Sequence, residues 1–364
     1  MLLAETLPDN SKTEKPRNNP AVAIWLSIGV GMLMIQILLG GITRLTGSGL
    51  SITEWKPLLG ALPPLSEHAW EQSFAKYQQI AQFKKINYDF TLSNYKAIFF
   101  WEWFHREWAR LMGVVFIIPF AVFIIQKKID RKMIKPLIVL FLLGGLQGAI
   151  GWVMVQSGLN DTDTAVSHIR LAIHFMCALF LLVYLLWFTL KISVPANQIQ
   201  HTPSLKRLNG TLLVLLFFQL IYGAFMAGSH AALHAPTWPD MNGAYVPAGM
   251  FADGTVLHNL CYNPLTIQFI HRTLAYLIGI TVVLWFFKAG KVRNGSLLYQ
   301  FRWVPLFLIV AQITLGVLAL INSMLKTAIY FSVIHQFTGM LLLTSLVITF
   351  FLVNRQSTSS DQNS

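Results

Sequence analysis

Eight apolar stretches, parted by polar and charged segments, occupy roughly 21–42, 103–125, 136–156, 169–190, 209–229, 266–287, 303–321 and 328–352. Each comes near the about 20 residues that carry an α-helix across a hydrocarbon core about 30 Å thick. The pattern therefore predicts an all-α integral membrane protein with eight transmembrane helices. Between and around them lie a polar tail over 1–20, a linker over 191–208, a polar tail over 353–364, two long segments, 43–102 and 230–265, and four shorter ones. The first tail contains prolines and lacks the charged start, short apolar core and small-residue cleavage site of a signal peptide, so it is expected to be retained.

Charge orients the spans. With the N-terminus inside, the inner segments hold Lys12, Lys15 and Arg17, then Lys127, Lys128, Arg131, Lys132 and Lys135, then Lys191, Lys206 and Arg207, then Lys288, Lys291, Arg293 and Arg302, and last Arg355. The segment 230–265 has no Lys or Arg, which fits an outer address. Lys56, Lys76, Lys84, Lys85 and Lys96 fall in the first outer segment, whose length dilutes the rule. The expectation is a multi-pass protein of a bacterial inner membrane with both termini cytoplasmic.

Composition agrees: 55% of residues are hydrophobic, with 26 Phe and 11 Trp, and the mean hydropathy is +0.56. Such a chain suits a lipid bilayer as partner. The net charge of +12 is accounted for mainly by the inner rim, so nucleic acid is not expected as a partner. Cys177 lies inside the fourth span and Cys261 in an outer segment, so no disulfide framework is expected.

The chain repeats. Gln36, Gly40, Trp55 and Gly60 fall opposite Gln219, Gly223, Trp238 and Gly243 at one offset, whereas Gly47-Ser48 meets Gly228-Ser229 only after a two-residue shift and carries no weight. FHREWARLMG at 104–113 lies over IHRTLAYLIG at 270–279, and LQGAIG at 146–151 over AQITLG at 311–316. AIHF at 172–175 lies over the start of VIHQF at 333–337. Four blocks in one order predict a duplication: two four-helix bundles, 21–190 and 209–352, with parallel topology because each contains an even number of spans.

The duplication places chemistry. His105 and His174 enter from the outer side on the second and fourth spans and reach a common level about one turn in, and His271 and His335 repeat this on the sixth and eighth. Two imidazoles facing across a bundle suit a six-coordinate heme iron. Zinc fits less well, since a structural site needs about four convergent ligands and these histidines separate into pairs. Arg106 and Arg272 directly follow histidines, Arg170 lies one turn before His174, and Arg44 closes the first span; guanidinium groups there can meet heme propionates. His168 has no histidine counterpart and reads as an interfacial residue. His230, His234 and His258, with Asp240 and Asp253, could supply a copper or zinc site in the second outer segment, but their loose spacing does not specify one.

The halves differ at one point that matters for catalysis. Glu102 stands three residues before His105 on the same helical face, and the equivalent position before His271 holds Gln268. A carboxylate at a partly desolvated boundary can relay protons or stabilise a cation, or it can simply pair with Arg106. Glu107 reads as a surface residue. The first half also carries the longer outer segment, 69 residues from Gln36 to His105 against 52 from Gln219 to His271. Within it Trp70, Phe74 and Tyr77 follow helical spacing and predict a helix lying at the interface over the first bundle, either covering a substrate entrance or packed only on the protein.

Over about 20–352 the chain resembles heme A synthase of the mitochondrial and proteobacterial class. The blocks that carry the resemblance are GGITRLTGSGLSITEWKPLLGALPPL at 40–65, EWFHREWARLMG at 102–113, GWVMVQSGL at 151–159, VSHIRLAIHF at 166–175, PTWPDMNG at 236–243 and QFIHRTLAY at 268–276. The resemblance implies oxidation of heme O to heme A at the porphyrin C8 methyl, through successive hydroxylations, for cytochrome oxidase assembly. It implies a heme b cofactor held by His271 and His335, a heme O substrate site at His105 and His174 in the first bundle, and Glu102 as the essential acid. It also implies heme O synthase as a partner. Members of the family can pass reducing equivalents through an outer-segment cysteine pair; Cys261 stands alone here, and no motif specifies the electron donor or acceptor. A homo-oligomer is compatible with the pattern. The alternatives from other classes are a diheme b-type, quinone-linked electron-transfer protein, which leaves Glu102 without a role, and a transporter, whose polar groups would line the midplane instead of one interface.

Overall fold

The computed structural model describes residues 19–56 and 60–354. Residues 1–18 and 355–364 of the polar tails, with the basic residues Lys12, Lys15, Arg17 and Arg355, and residues 57–59 of the 40–65 block lie outside the described residues. Twelve α-helices occur among those described: α1 (Pro20–Leu45), α2 (Glu67–Tyr77), α3 (Ala81–Lys85), α4 (Leu92–Ile125), α5 (Arg131–Gln156), α6 (His168–Ser193), α7 (Pro203–Gly228), α8 (Val256–Tyr262), α9 (Pro264–Ala289), α10 (Leu297–Phe301), α11 (Trp303–Ile321) and α12 (Ala328–Leu352). Eight helical segments are long and apolar enough to cross a membrane, and the protein is an all-α integral membrane protein. The last two spans begin and end as the apolar pattern predicts; most others extend a few residues further into the boundary, where local sequence caps them. Asn19 and Asn263 accept from backbone N–H groups of the first turns of α1 and α9, and each is followed by a proline that fits the first helical position.

The largest departure is at α4, which starts at Leu92 instead of 103. Hydropathy falls off at Lys96 and Glu102, but Thr91 and Asn94 form a capping box and the helix simply continues out of the apolar layer. This outer extension is held by packing. Trp70, Phe74 and Tyr77 of α2 lie against Phe99 and Tyr95, with ring centres 4.9, 5.1 and 5.3 Å apart. The Tyr95 hydroxyl donates to the carbonyl of Ser51. The aromatic face of α2 is thus turned onto the protein, and Glu102 lies about three turns inside a helix, roofed by the 47–54 turn.

Helices α1, α6, α7 and α12 form the inner four, with α1 against α6 and α12, and α7 against α6 and α12. Outside them, α4 packs on α1, α5 on α6, α9 on α7 and α11 on α12. Several polar tips inside the apolar layer find backbone partners, as a medium without water favours: Trp25 Nε1 donates to the Val115 carbonyl, Trp108 Nε1 to Met32, and the Tyr184 hydroxyl to Pro136. The inner helices approach closely where glycine allows it. At Gly41 an added Cβ would fall 2.2 Å from Gln336 Oε1, and Gln336 Nε2 donates to the Ile37 carbonyl across the α1–α12 contact. At Gly228 a Cβ would fall 2.5 Å from His168 Cβ across the α6–α7 contact. His168 Nε2 also lies 2.8 Å from the Cys261 carbonyl, so this residue joins the two halves.

The outer seams differ. A Cβ at Gly113 on α4, or at Gly144, Gly145 or Gly148 on α5, would meet nothing within 4 Å, whereas at Gly279 on α9 it would lie 3.2 Å from Ile313 Cδ1 of α11. The α4–α5 seam is loose and the α9–α11 seam is closed.

Candidate functional site

A single cavity of about 1420 Å³ lies between the helices and is lined by all four histidines of the repeat, with Glu102, Arg44, Arg106, Arg272 and His230. A small-molecule pocket usually holds about 300–1,000 Å³, so this volume suits two bound groups better than one. Helix geometry explains the convergence. His105 and His174 descend on α4 and α6, His271 and His335 on α9 and α12, all from the same side; the last three lie about two turns into their helices, and His105 lies about two turns further along α4, whose outer extension stands clear of the apolar layer.

The second pair has the spacing of two ligands on one iron. With metal–imidazole bonds of about 2.0–2.1 Å and ring nitrogens about 1.1 Å from the ring centre, two imidazoles sharing a metal have centres about 6.3 Å apart. The rings of His271 and His335 are 6.5 Å apart at 69°. His271 Nδ1 is buried without a hydrogen-bond partner, as are Gln219 Oε1, Gln312 Oε1 and Gln36 Oε1 around the cavity. Buried unpaired polar atoms of this kind are rare and mark a place for a polar or metal-bearing guest. Among the described residues no three His, Cys, Asp or Glu side chains converge, so the available donor sets are pairs, which is what a porphyrin iron requires of a protein.

Beside these similar histidines the halves are chemically different. Glu102 is 3% exposed, and both of its oxygens accept. Arg106 reaches Oε1 at 2.6 Å, and Ser51 Oγ and the Ile52 N–H reach Oε2 at 2.8 Å each. Arg106 also donates to the carbonyls of Ile52 and Glu54 and lies over the Trp152 ring, which stacks on Trp55. In the other half Gln268 is fully buried and donates from Nε2 to the Ala235 carbonyl at 2.8 Å. Arg272 there donates to the carbonyls of Ala235, Thr237 and Asp240. The same helical positions thus hold a carboxylate–guanidinium ion pair in the first half and, in the second, an amide and a guanidinium that both donate to a backbone carbonyl.

The arginines separate by environment. Arg44 lines the cavity at the outer end of α1, and its guanidinium makes no hydrogen bond or ion pair among the described residues. Opposite it, burial, with Arg44 alongside, holds His230 below the usual histidine range. Arg170 is exposed, is not among the lining residues, and donates to the Val153 carbonyl. Glu107 pairs with Arg110.

Outside the cavity, the acidic and histidine residues of the 230–265 segment serve its own turns. Asp240 accepts from Thr237 and the Gly243 N–H, which hold it below the usual carboxylate range. Asp253 accepts from Asn263, and His258 stacks on Tyr262. Cys177 and Cys261 are free thiols. Over the first half, Gln82, Ile86, Asn87 and Phe90 close the outer end of the cavity, with Gln82 Nε2 bonded to the Gly47 carbonyl. These four, together with the glutamines beside the histidines, are residues the sequence reading did not single out for the site. The glutamines were visible as repeat matches, but their partners were not.

A family model described as "Cytochrome oxidase assembly protein" matches residues 23–347. The chain is 40% identical over 344 residues to the heme A synthase of Granulibacter bethesdensis, covering 93% of this chain and 88% of that protein. It is 44% identical over 287 residues to that of Parvibaculum lavamentivorans, with 78% and 83% covered. Against that of Rhodospirillum centenum it is 42% identical over 332 residues, with 90% and 87% covered. By its eight spans, its paired histidines and these similarities along nearly its whole length, the chain belongs to the cytochrome oxidase assembly family of the heme A synthases.

Proposed function

We propose that this protein oxidises heme O to heme A, converting the porphyrin C8 methyl to a formyl group for cytochrome oxidase assembly. The observation that carries the assignment of roles is the asymmetry beside equivalent histidines: a buried carboxylate with Arg106 in one half, Gln268 with Arg272 in the other. The first half is the substrate half, with His105 and His174 holding heme O. The second is the cofactor half, with His271 and His335 holding heme b. Heme b supplies a one-electron carrier beside the substrate.

The chain's own groups do the rest. Glu102 presents fixed negative charge to the cavity, and removal of electrons from a methyl carbon leaves positive charge that such a group stabilises without reorganising. It is also the acid–base group available for protons released there. Arg44, cationic and unpaired, suits a propionate at the outer boundary; Arg106 and Arg272 are already spent on backbone carbonyls and act chiefly by holding the 52–54 and 235–240 turns. Gln82, Ile86, Asn87 and Phe90 limit water at the outer end, and the loose α4–α5 seam gives an amphiphilic porphyrin a lateral way in from the bilayer. A diheme electron-transfer role would leave Glu102 idle, and the family relationship does not favour it.

In a host that makes heme O but no heme A, expression of this gene is expected to produce heme A in membranes. Pigment extracts that contain heme O alone, at normal protein level, would refute the assignment. The membrane is the bacterial inner membrane, with both termini cytoplasmic. In a background lacking Cys177 and Cys261, a cysteine at position 250 should be labelled from the periplasm and one at position 130 from the cytoplasm, and reversal of either would overturn the orientation.

A further inference from the structure

Each histidine ring rests on a glutamine and a glycine from the spanning helix that precedes it. Gln36 Nε2 on α1 lies 3.3 Å from His105 Nε2 and 3.4 Å from Nδ1, and a Cβ at Gly40 would lie 3.1 Å from His105 Cε1. On α5, Gln147 Nε2 lies 3.1 Å from His174 Nδ1 and donates to the His174 carbonyl at 2.7 Å; a Cβ at Gly151 would lie 2.9 Å from Cε1. On α7, Gln219 Nε2 lies 3.3 Å from His271 Nε2, and a Cβ at Gly223 would lie 3.3 Å from Cε1. On α11, Gln312 Nε2 lies 3.3 Å from His335 Nε2, and a Cβ at Gly316 would lie 2.8 Å from Cε1.

In every case the glycine follows the glutamine by four residues, one helical turn, which puts both on one face. The spacing Gln-x-x-x-Gly occurs in this sequence at these four places and at no other. Each outward helix carries the pair, and each return helix carries a histidine preceded by Phe or Ile. The physical roles are separable. Glycine lets the Cε1 edge of the ring touch the helix, and the amide beside the ring restricts its rotation. At His335 the ring is fixed further: Nδ1 lies 3.0 Å from the Gln312 carbonyl and donates to it, which leaves Nε2 as the nitrogen with a lone pair.

We propose that Gln36/Gly40, Gln147/Gly151, Gln219/Gly223 and Gln312/Gly316 are imidazole-positioning pairs. The ligand-bearing unit of this protein is then a two-helix hairpin used four times, two hairpins to each heme site. This rests on the reading of the four histidines as heme ligands and adds to it the residues that set ring orientation. Partners of metal-bound histidines typically change affinity by about 10–100-fold when removed, and the ring orientation they impose is visible in the spectrum of the iron.

The test uses the purified full-length protein with its bound heme b and added heme O. Gly223→Ala and Gly316→Ala are expected to lower heme b content and to shift the ferric low-spin g values and the midpoint potential. Gly40→Ala and Gly151→Ala should leave that spectrum unchanged and weaken heme O binding, by absorbance titration, about 10–100-fold. Gly31→Ala on α1, whose Cβ enters open space away from the cavity, should do neither. Gln219→Leu and Gln312→Leu remove the amide at similar volume and should shift the potential with the protein folded, which keeps the test alive if an alanine variant is not produced. Normal heme b content, g values and potential in Gly316→Ala, Gln219→Leu and Gln312→Leu would overturn the proposal, as would equal effects from Gly31→Ala. Retention of low-spin heme b in His271→Ala would instead overturn the ligand reading beneath it.

Discussion

Glu102→Gln is expected to lower heme A formation by about 10²–10³-fold, the usual cost of removing one preorganised electrostatic group, while heme b remains bound in the other half. By sequence alone this substitution looks nearly isosteric, but the structure shows that it is not neutral. Both carboxylate oxygens accept from donors, so the Gln amide N–H₂ must face either Arg106 or the Ile52 N–H. The variant therefore removes the charge and loosens the Arg106 clamp together. Ser51→Ala separates the two effects: it deletes one hydrogen bond to the carboxylate, worth about 1.5–3 kcal/mol for a charged acceptor, and keeps the charge. Most of the heme A yield should survive in Ser51→Ala and not in Glu102→Gln. Extracted pigments resolve the step, since heme O alone places Glu102 in the first oxidation and accumulation of the hydroxymethyl compound places it in the later one. Normal heme A from Glu102→Gln at matched protein level would reduce Glu102 to an ion-pair residue.

Replacing His271 or His335 with alanine is expected to abolish the low-spin heme b signal. The two rings stand 6.5 Å apart, at the separation that one iron between them requires, so loss of either ring leaves a single axial ligand and an unfilled space. The corresponding His105→Ala and His174→Ala variants should retain the heme b signal and lose heme O binding. Unchanged absorption and redox titration in both His271→Ala and His335→Ala would sink the assignment of the cofactor half. Loss of heme b from all four variants alike would show that the sites do not form independently.

Much was legible in the chain because the bilayer imposes strong local rules. A spanning segment must satisfy its backbone internally and present an apolar surface, so eight helices can be read from composition alone. The histidine levels followed too, since depth along a helix is a count of residues at a fixed rise. The boundary of α4 was misread because its outer extension is held by α2 and not by lipid, and hydropathy does not register a helix end buried by aromatic packing.

Sequence by itself determined the helix count, and its spacings are what suggest a duplication and a common level for His105, His174, His271 and His335, because each depends on periodicity or spacing along one chain. Tertiary structure alone decided partnership. It put Glu102 under the 51–54 turn with Arg106, left the Arg44 guanidinium unpaired in the cavity and Arg170 outside it, and set a glutamine and a glycine against each of those four imidazoles. The Gln-x-x-x-Gly spacing was present in the repeat all along, but a four-residue spacing only shows that two side chains share a helical face. What that face meets is fixed by how helices cross, and that arises from side-chain packing summed over the whole bundle.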